Sequence, residues 1–292
     1  MGVDLRCFWA PKAGHAANEY EDAFCVYMPE SGVRCRVNEA PAIDHSIALS
    51  GVVRLAIADG ASESSFSSGW AKLLVRGFCR SSGSPSASGN PGAGKETVKD
   101  GLALQGFERA TAVWHRCYGA RSLPWYAEHK RDLGAHAAFL GLELNPPSAS
   151  SELGTWHATA IGDSCMFQFR QGELLTAFPI EDVACFSQNP WLLTSRDTLA
   201  SQASHLKRLH GQWKVGDEFV LLTDAAASWL LRSLELRADP LYFLRSLKTQ
   251  QGFEDWVAGQ RAELIDETPR LRNDDVTLLW FGVSHPIGPG NP

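Results

Sequence analysis

Apolar residues along this chain gather in short runs, and the longest are nearly continuous. Val52–Ala58 (VVRLAIA) reads as a strand covered on both faces of a sheet. Glu218–Thr223 (EFVLLT) and Val276–Val283 (VTLLWFGV) predict two more strands, and Leu5–Trp9 and Asp22–Met28 predict shorter ones near the N-terminus. After Ser-rich capping positions, Phe66, Trp70, Leu73, Leu74 and Phe78 recur at three- and four-residue steps, which predicts a helix. A second helical pattern runs from about Thr97 to Tyr118. Ala137–Leu144, Trp156–Ile161 and Cys165–Arg170 then predict three strands joined as an antiparallel meander, with Gly162-Asp163-Ser164 and Gln171-Gly172-Glu173 as turns. Helices are expected from near Ala225, over Pro240–Leu247 and over Phe253–Ile265. Strands and helices come in blocks rather than in strict alternation, so the expected class is α+β with antiparallel sheets.

Composition narrows the function. The 292 residues are 44% hydrophobic, with 10 Trp and 14 Phe, enough for a sizeable core. A net charge of -6 argues against nucleic-acid or anionic-membrane partners. No apolar run is long enough to span a membrane, and no secretory pattern opens the chain, so a cytoplasmic protein is expected. The 7 cysteines form no C-x-x-C pair and predict reduced thiols rather than zinc ligands or a disulfide framework. Trp70, Trp114, Trp229 and Trp256 fall on apolar helix faces and read as core. His115 and Cys117, two apart on one helix, do not face together as ligands.

One stretch, GNPGAGKET (Gly89–Thr97), comes within a residue of a nucleotide-binding P-loop. The Ser-rich residues before it cannot form the strand that delivers such a loop, and Glu96 stands where a Ser or Thr would bind Mg2+. The region near 81–96 is expected to be a mobile surface insertion, and 286–292 a disordered tail, around a single domain over 1–285.

Carboxylates at strand ends suggest different phosphate chemistry. Asp59 and Asp224 end apolar strands, whereas Asp22 and the Asp274–Asp275 pair open them. In antiparallel pairing the exit of one strand lies beside the entry of the next, so these acids can gather at one sheet edge. Taken singly, each is explained by the preference of Asp for turns and caps. Together they form an all-oxygen set suited to Mg2+ or Mn2+, and two such ions can activate a water against a phosphoester. Gly60, after Asp59, would let its carbonyl come close to a metal.

At these residues the chain resembles the metal-dependent serine/threonine protein phosphatases of the PP2C (PPM) family. Asn18–Ala23 is similar to the family's N-E-D-A motif with two residues interposed, and Ile57–Gly60 to V-A-D-G. Gly134–Ala137 stands for G-[ST]-T-A, Gly162-Asp163-Ser164 for G-D-S, Thr223-Asp224-Ala225 for T-D-G and Asp274–Thr277 for D-[ND]-x-T. The resemblance implies a four-layer αββα sandwich of two antiparallel sheets flanked by helices, with a binuclear Mn2+ or Mg2+ centre. Asp22 and Asp59 would hold one ion; Asp59, the Gly60 carbonyl, Asp224 and Asp274 would hold or orient the other. A metal-bridging hydroxide would then hydrolyse phosphoserine or phosphothreonine in a protein substrate, with a separate kinase opposing it. Spacing to Thr277 selects Asp274 over Asp275 as the ligand.

The chain departs from the pattern in places. Ala17 stands where the family has a phosphate-gripping Arg, with Lys12 and His15 as candidate substitutes. This departure raises the alternative of a catalytically weak, phosphatase-like binding or regulatory module. Ala225 replaces Gly, a change expected to leave the Asp224 carboxylate in place, and His136 replaces Thr and is expected to be a core histidine. Asp132, offset from the position of a third metal ligand, is not expected to act as one.

Overall fold

The doubly buried runs become the middle strands of two sheets. In the computed structural model, residues 1–34, 36–39, 49, 51–62, 64, 66–81, 96–119, 125–148, 151–186, 189–265 and 267–284 are described. The strands are β1 (Gly2–Ala10), β2 (Ala23–Tyr27), β3 (Val53–Gly60), β4 (His136–Asn145), β5 (Gly154–Ile161), β6 (Cys165–Arg170), β7 (Glu173–Phe178), β8 (Leu193–Thr194), β9 (Lys207–Trp213), β10 (Asp217–Leu222), β11 (Leu264–Ile265), β12 (Thr268–Pro269) and β13 (Val276–Ser284). The helices are α1 (Ser67–Cys79), α2 (Glu96–Trp114), α3 (Trp125–Leu133), α4 (Leu199–Gln202), α5 (Asp224–Glu235), α6 (Pro240–Ser246) and α7 (Gln250–Ala262).

One sheet has the order β1-β13-β10-β6-β7; the other has β2-β3-β4-β5-β9, with β8 also paired to β4. Every pairing is antiparallel. Side chains alternate across each strand, so β13 points Leu279, Phe281 and Val283 between the sheets and Leu278 and Trp280 outward. The inner layer also takes Leu55 and Ile57 of β3, Leu140 and Leu142 of β4 and Trp156 of β5. Trp229, Phe253 and Trp256 of α5 and α7 cover one outer face, and Trp70, Phe78, Phe107 and Trp114 of α1 and α2 cover the other. The four tryptophans expected in the core are buried. This is the αββα sandwich expected from the resemblance.

Three local expectations change. Cys165–Arg170 does not continue a meander: β5 pairs with β4 and β9, while β6 pairs with β7 and β10 in the other sheet. The Gly162-Asp163-Ser164 turn therefore carries the chain between sheets, helped by Gly162 at φ +93, where a Cβ would also stand 2.5 Å from that of Ala138. The last helix stops at Ala262, and Leu264–Ile265 pairs with Thr268–Pro269 instead. Strand β9 went unpredicted because it is a polar edge strand, exposed over most of its length, with no apolar alternation to reveal it.

The thiols also differ from expectation. Cys25 is disulfide-bonded, whereas Cys7, Cys79 and Cys165 are buried and free. Motif spacing reports only on cysteines close in sequence, so it is silent on thiols that the fold brings together. Positions 82–95, with most of GNPGAGKET, and the 285–292 tail lie outside the described residues; Glu96 and Thr97 begin α2. Among the described residues no helix is long and apolar enough to cross a membrane.

Candidate active site

Strand register decides which acids meet. β2 and β3 pair Ala23 with Ala58, which sets Asp22 across from Asp59. β10 and β13 pair Leu222 with Leu278, and the Thr223 amide donates to the Thr277 carbonyl at 3.3 Å. That edge therefore carries Asp224, the first residue of α5, and Asp274 and Asp275 before β13. β6 pairs Cys165 with Leu222 and so brings Asp163 to the same edge.

Asp22 precedes β2 of one sheet, bonds to β13 of the other and is fully buried. Its Oδ2 accepts from the Thr277 hydroxyl at 2.7 Å, and Thr277 in turn bonds the buried Tyr20 hydroxyl. Thr277 is itself fixed by a 2.9 Å bond from its amide to Thr223 Oγ1. Asp22 Oδ1, by contrast, is buried with no hydrogen-bond partner. A carboxylate oxygen in that condition is costly unless a cation or proton neutralises it.

The two final aspartates divide their tasks. Asp275 accepts the backbone amides of Lys12 at 2.8 Å and Glu21 at 2.7 Å, tying the loop before β2 to the start of β13. Asp274 instead faces a cavity of about 500 Å3 lined also by Lys12, Asp59, Ser62, Asp163, Asp224 and Arg272. Two ion pairs cross this cavity: Lys12 to Asp274 Oδ1 at 3.0 Å, and Arg272 to Asp224 Oδ2. Helix α1 braces the approach, as Ser67 Oγ donates to Glu21 Oε1 at 2.7 Å and Ser68 Oγ to the Tyr20 carbonyl at 3.2 Å.

Burial pushes Asp22 and Asp59 well above the usual carboxylate range, and neighbouring acids push further: Asp275 and Asp224 on Asp22, and Asp22, Asp224, Asp274 and Asp163 on Asp59. Asp163 is raised to about 7 by burial and by the charge of Asp224. Asp224 is raised by burial, with Arg272 pulling the other way. These acids are mutually repelling and short of countercharge.

The residues present fit hard divalent cations. The donors are carboxylate oxygens: Asp59, Asp163, Asp224 and Asp274 line the cavity, Asp22 lies buried behind that lining beside Asp59 with Oδ1 unpartnered, and no thiolate or imidazole is among the described lining residues. As they stand, no three His, Cys, Asp or Glu side chains among the described residues are grouped closely enough to hold a metal ion, and Asp274 and Asp224 are paired with Lys12 and Arg272. Packing, too, requires a glycine at position 60. A Cβ there would lie 2.6 Å from the Glu21 carbonyl oxygen and 3.1 Å from the Ser67 Cβ, so the missing side chain admits the backbone before β2.

Other sequence candidates fall away from the cavity. His15 and Ala17 are exposed, and neither lines it. Asp132 pairs with Arg131 on α3 and lines a separate cavity of about 230 Å3. His136 is half-buried at the start of β4, with its backbone bonded to Ser64 Oγ and the Ala61 amide. Ala225 is buried and its amide donates to the Asp224 carboxylate, so the Gly replacement leaves that group in place.

Asp163 and Arg272 are the site residues that sequence reading missed. Asp163 had a signal, since it too lies between two strand runs, but it read as a turn residue. Arg272 had none, because an Arg in a polar loop is commonplace.

No protein-family model matches the chain, and no curated protein matches it. Solved structures do share its fold. A Mycobacterium tuberculosis serine/threonine phosphatase, PstP/Ppp, is 15% identical, with 98% of this chain and 100% of that one covered at TM-score 0.53. The serine/threonine phosphatase of S. agalactiae is 14% identical, covering 97% and 100% at TM-score 0.54. A PstP catalytic domain in complex with 2 manganese ions is 14% identical, covering 97% and 99% at TM-score 0.51. At these identities the likeness is one of fold.

Proposed function

We propose that this chain is a PP2C-type phosphatase that hydrolyses phosphoserine or phosphothreonine in proteins with the help of two divalent cations, Mn2+ or Mg2+. The observation that carries the reading is the fully buried Asp22, with an unpartnered Oδ1, at a sheet edge shared with Asp59, Asp163, Asp224 and Asp274. The shared fold with serine/threonine phosphatases, one of them holding 2 manganese ions, supports it.

Asp22, Asp59, Asp224 and Asp274 would hold the cations. Bound there, the ions would lower the pKa of water and offset charge on the phosphoryl group. The chain's own residues prepare the site. Thr277 fixes Asp22 Oδ2 so that Oδ1 stays free, and Asp275 fixes the loop that delivers Asp22. Asp163 lines the same cavity beside Asp224 and Asp274, within reach of whatever binds there. A neighbouring cavity of about 670 Å3 shares Asp163 and Pro190 with the first and carries Trp191 stacked on His205. Two cavities that adjoin at Asp163 and Pro190 favour a polypeptide substrate, whose flanking residues could lie beside the phosphorylated one.

The test is hydrolysis of p-nitrophenyl phosphate and of a phosphothreonine peptide with Mn2+ and with EDTA. Mn2+-dependent release of phosphate from both is expected; equal rates in EDTA would sink the reading. The ion pairs of Lys12 and Arg272 favour a second reading, a phosphatase-like module that binds without turnover. Phosphopeptide binding with no hydrolysis under any divalent cation would select it.

Thr277→Val offers a check on the buried support. Val keeps the shape but removes the Thr277 hydroxyl from Asp22 Oδ2, leaving Thr223 as the neighbouring hydroxyl, so Mn2+ affinity is expected to fall about 10- to 100-fold. Titration of Mn2+ against thermal stability measures this directly, and an unchanged midpoint would show that Thr277 does not position Asp22.

A further inference from the structure

We propose that Arg272 and Lys12 together form the phosphate clamp of this site, supplying the cations that Ala17 does not. The proposal rests on the phosphatase reading above. Among the described residues lining the cavity, Lys12 and Arg272 are the cations, facing Asp59, Asp163, Asp224 and Asp274. A phosphate dianion entering such a cavity needs positive partners beyond ions already shared among carboxylates.

Both side chains now hold oxygens that a divalent cation would take: Arg272 holds Asp224 Oδ2, and Lys12 holds Asp274 Oδ1 at 3.0 Å. Cation binding at these carboxylates therefore releases the two side chains while leaving them at the cavity wall. Their backbones are held in place independently of the ion pairs. Leu271 is fully buried and its amide donates to the Gln260 carbonyl at 3.1 Å. Asn273 Oδ1 accepts the Ala13 amide at 2.8 Å, and Asp275 accepts the Lys12 amide at 2.8 Å. Arg261 joins the two loops, donating to the Pro11 carbonyl at 3.0 Å and to the Asp274 carbonyl.

The loop carrying Arg272 and the loop carrying Lys12 are thus stitched together on one side of the cavity. The Arg272 side chain is 54% exposed, so once its bond to Asp224 is given up it has room to turn toward a ligand. Its planar fork suits two phosphate oxygens, whereas Lys12 supplies a point charge. A plain counter-ion for Asp224 would need none of this anchoring.

The experiment compares wild type, Arg272→Ala, Arg272→Lys and Lys12→Ala with saturating Mn2+. Inorganic phosphate is titrated by calorimetry and as an inhibitor, and Mn2+ binding is followed by thermal shift. Phosphate affinity is expected to fall about 10- to 100-fold in Arg272→Ala. Arg272→Lys should recover part of it, Lys12→Ala should also weaken binding, and KM for a phosphopeptide should rise in parallel. The Mn2+ thermal shift should persist or grow. Unchanged phosphate affinity with tighter Mn2+ binding would reduce Arg272 to a counter-ion and overturn the clamp. Wild type that turns over with Mn2+ but whose phosphate binding ignores both residues rejects the clamp and keeps the phosphatase. Binding that depends on Arg272 without any turnover keeps the clamp and rejects hydrolysis, while wild type with neither property rejects both.

Discussion

Asp59→Asn is expected to cut metal-dependent phosphate release by about a thousandfold or more while leaving the chain folded. Asp59 is the acid that the others converge on: burial raises its pKa first, then the charges of Asp22, Asp224, Asp274 and Asp163. It closes β3 with Gly60 on one side and the cavity on the other, and is proposed as a ligand shared by both cations. Asn keeps the shape and removes the charge. A loss of about 4 kcal/mol of charge stabilisation at the reacting group corresponds to about a thousandfold in rate. Without divalent cations, the same change relieves repulsion among buried carboxylates, so the variant's Tm in EDTA should equal or exceed that of wild type.

The Mn2+-induced rise in Tm should shrink in parallel. For wild type that rise corresponds to about 2.7 kcal/mol at a hundredfold excess over Kd. Activity, Tm in EDTA and Tm in Mn2+ together separate the possibilities. A variant that turns over normally removes Asp59 from the site, and one that unfolds in EDTA makes Asp59 structural.

The largest effect on stability is expected at Trp70. This residue of α1 is fully buried, donates its indole NH to the Leu193 carbonyl at 2.9 Å and meets Trp114 edge-on at 5.7 Å. It links α1, α2 and β8 over the outer face of the β2–β3–β4 sheet, and α1 braces the loop that delivers Asp22. Trp70→Ala removes the ring, leaves a cavity and strands the Leu193 carbonyl. The expected cost is about 3–5 kcal/mol, or roughly 6–20 °C in Tm. Trp191→Ala is the matched control, since that ring is 67% exposed and stacks only on His205 among its described ring contacts. Thermal denaturation of the two variants should differ accordingly. Equal Tm values would mean that the α1 layer contributes little to holding the fold.

Much of this was legible in the chain because burial on both faces leaves a strong local mark. VVRLAIA, EFVLLT and VTLLWFGV read as strands from composition alone, and each was found within a residue or two of its expected bounds. The acids at their ends were legible for the same reason, as abrupt changes from apolar to charged. What escaped was either locally silent or depended on a distant partner. β9 has no apolar stripe, and the turn at Gly162 looks the same whether it folds a hairpin or crosses between sheets.

The sequence by itself determined the doubly buried strands, the helices that cover them and the placement of acids where strands begin and end. These follow from local periodicity, which records how each residue is divided between core and solvent. Tertiary structure alone decided that Asp163 joins the other acids, that Thr277 and Tyr20 support Asp22, and that the ion pairs of Lys12 and Arg272 line a single cavity. Those relations join segments far apart in the chain. Electrostatic partners are chosen by how sheets and loops pack, and a polar residue's neighbours leave no periodic trace in the segment that carries it.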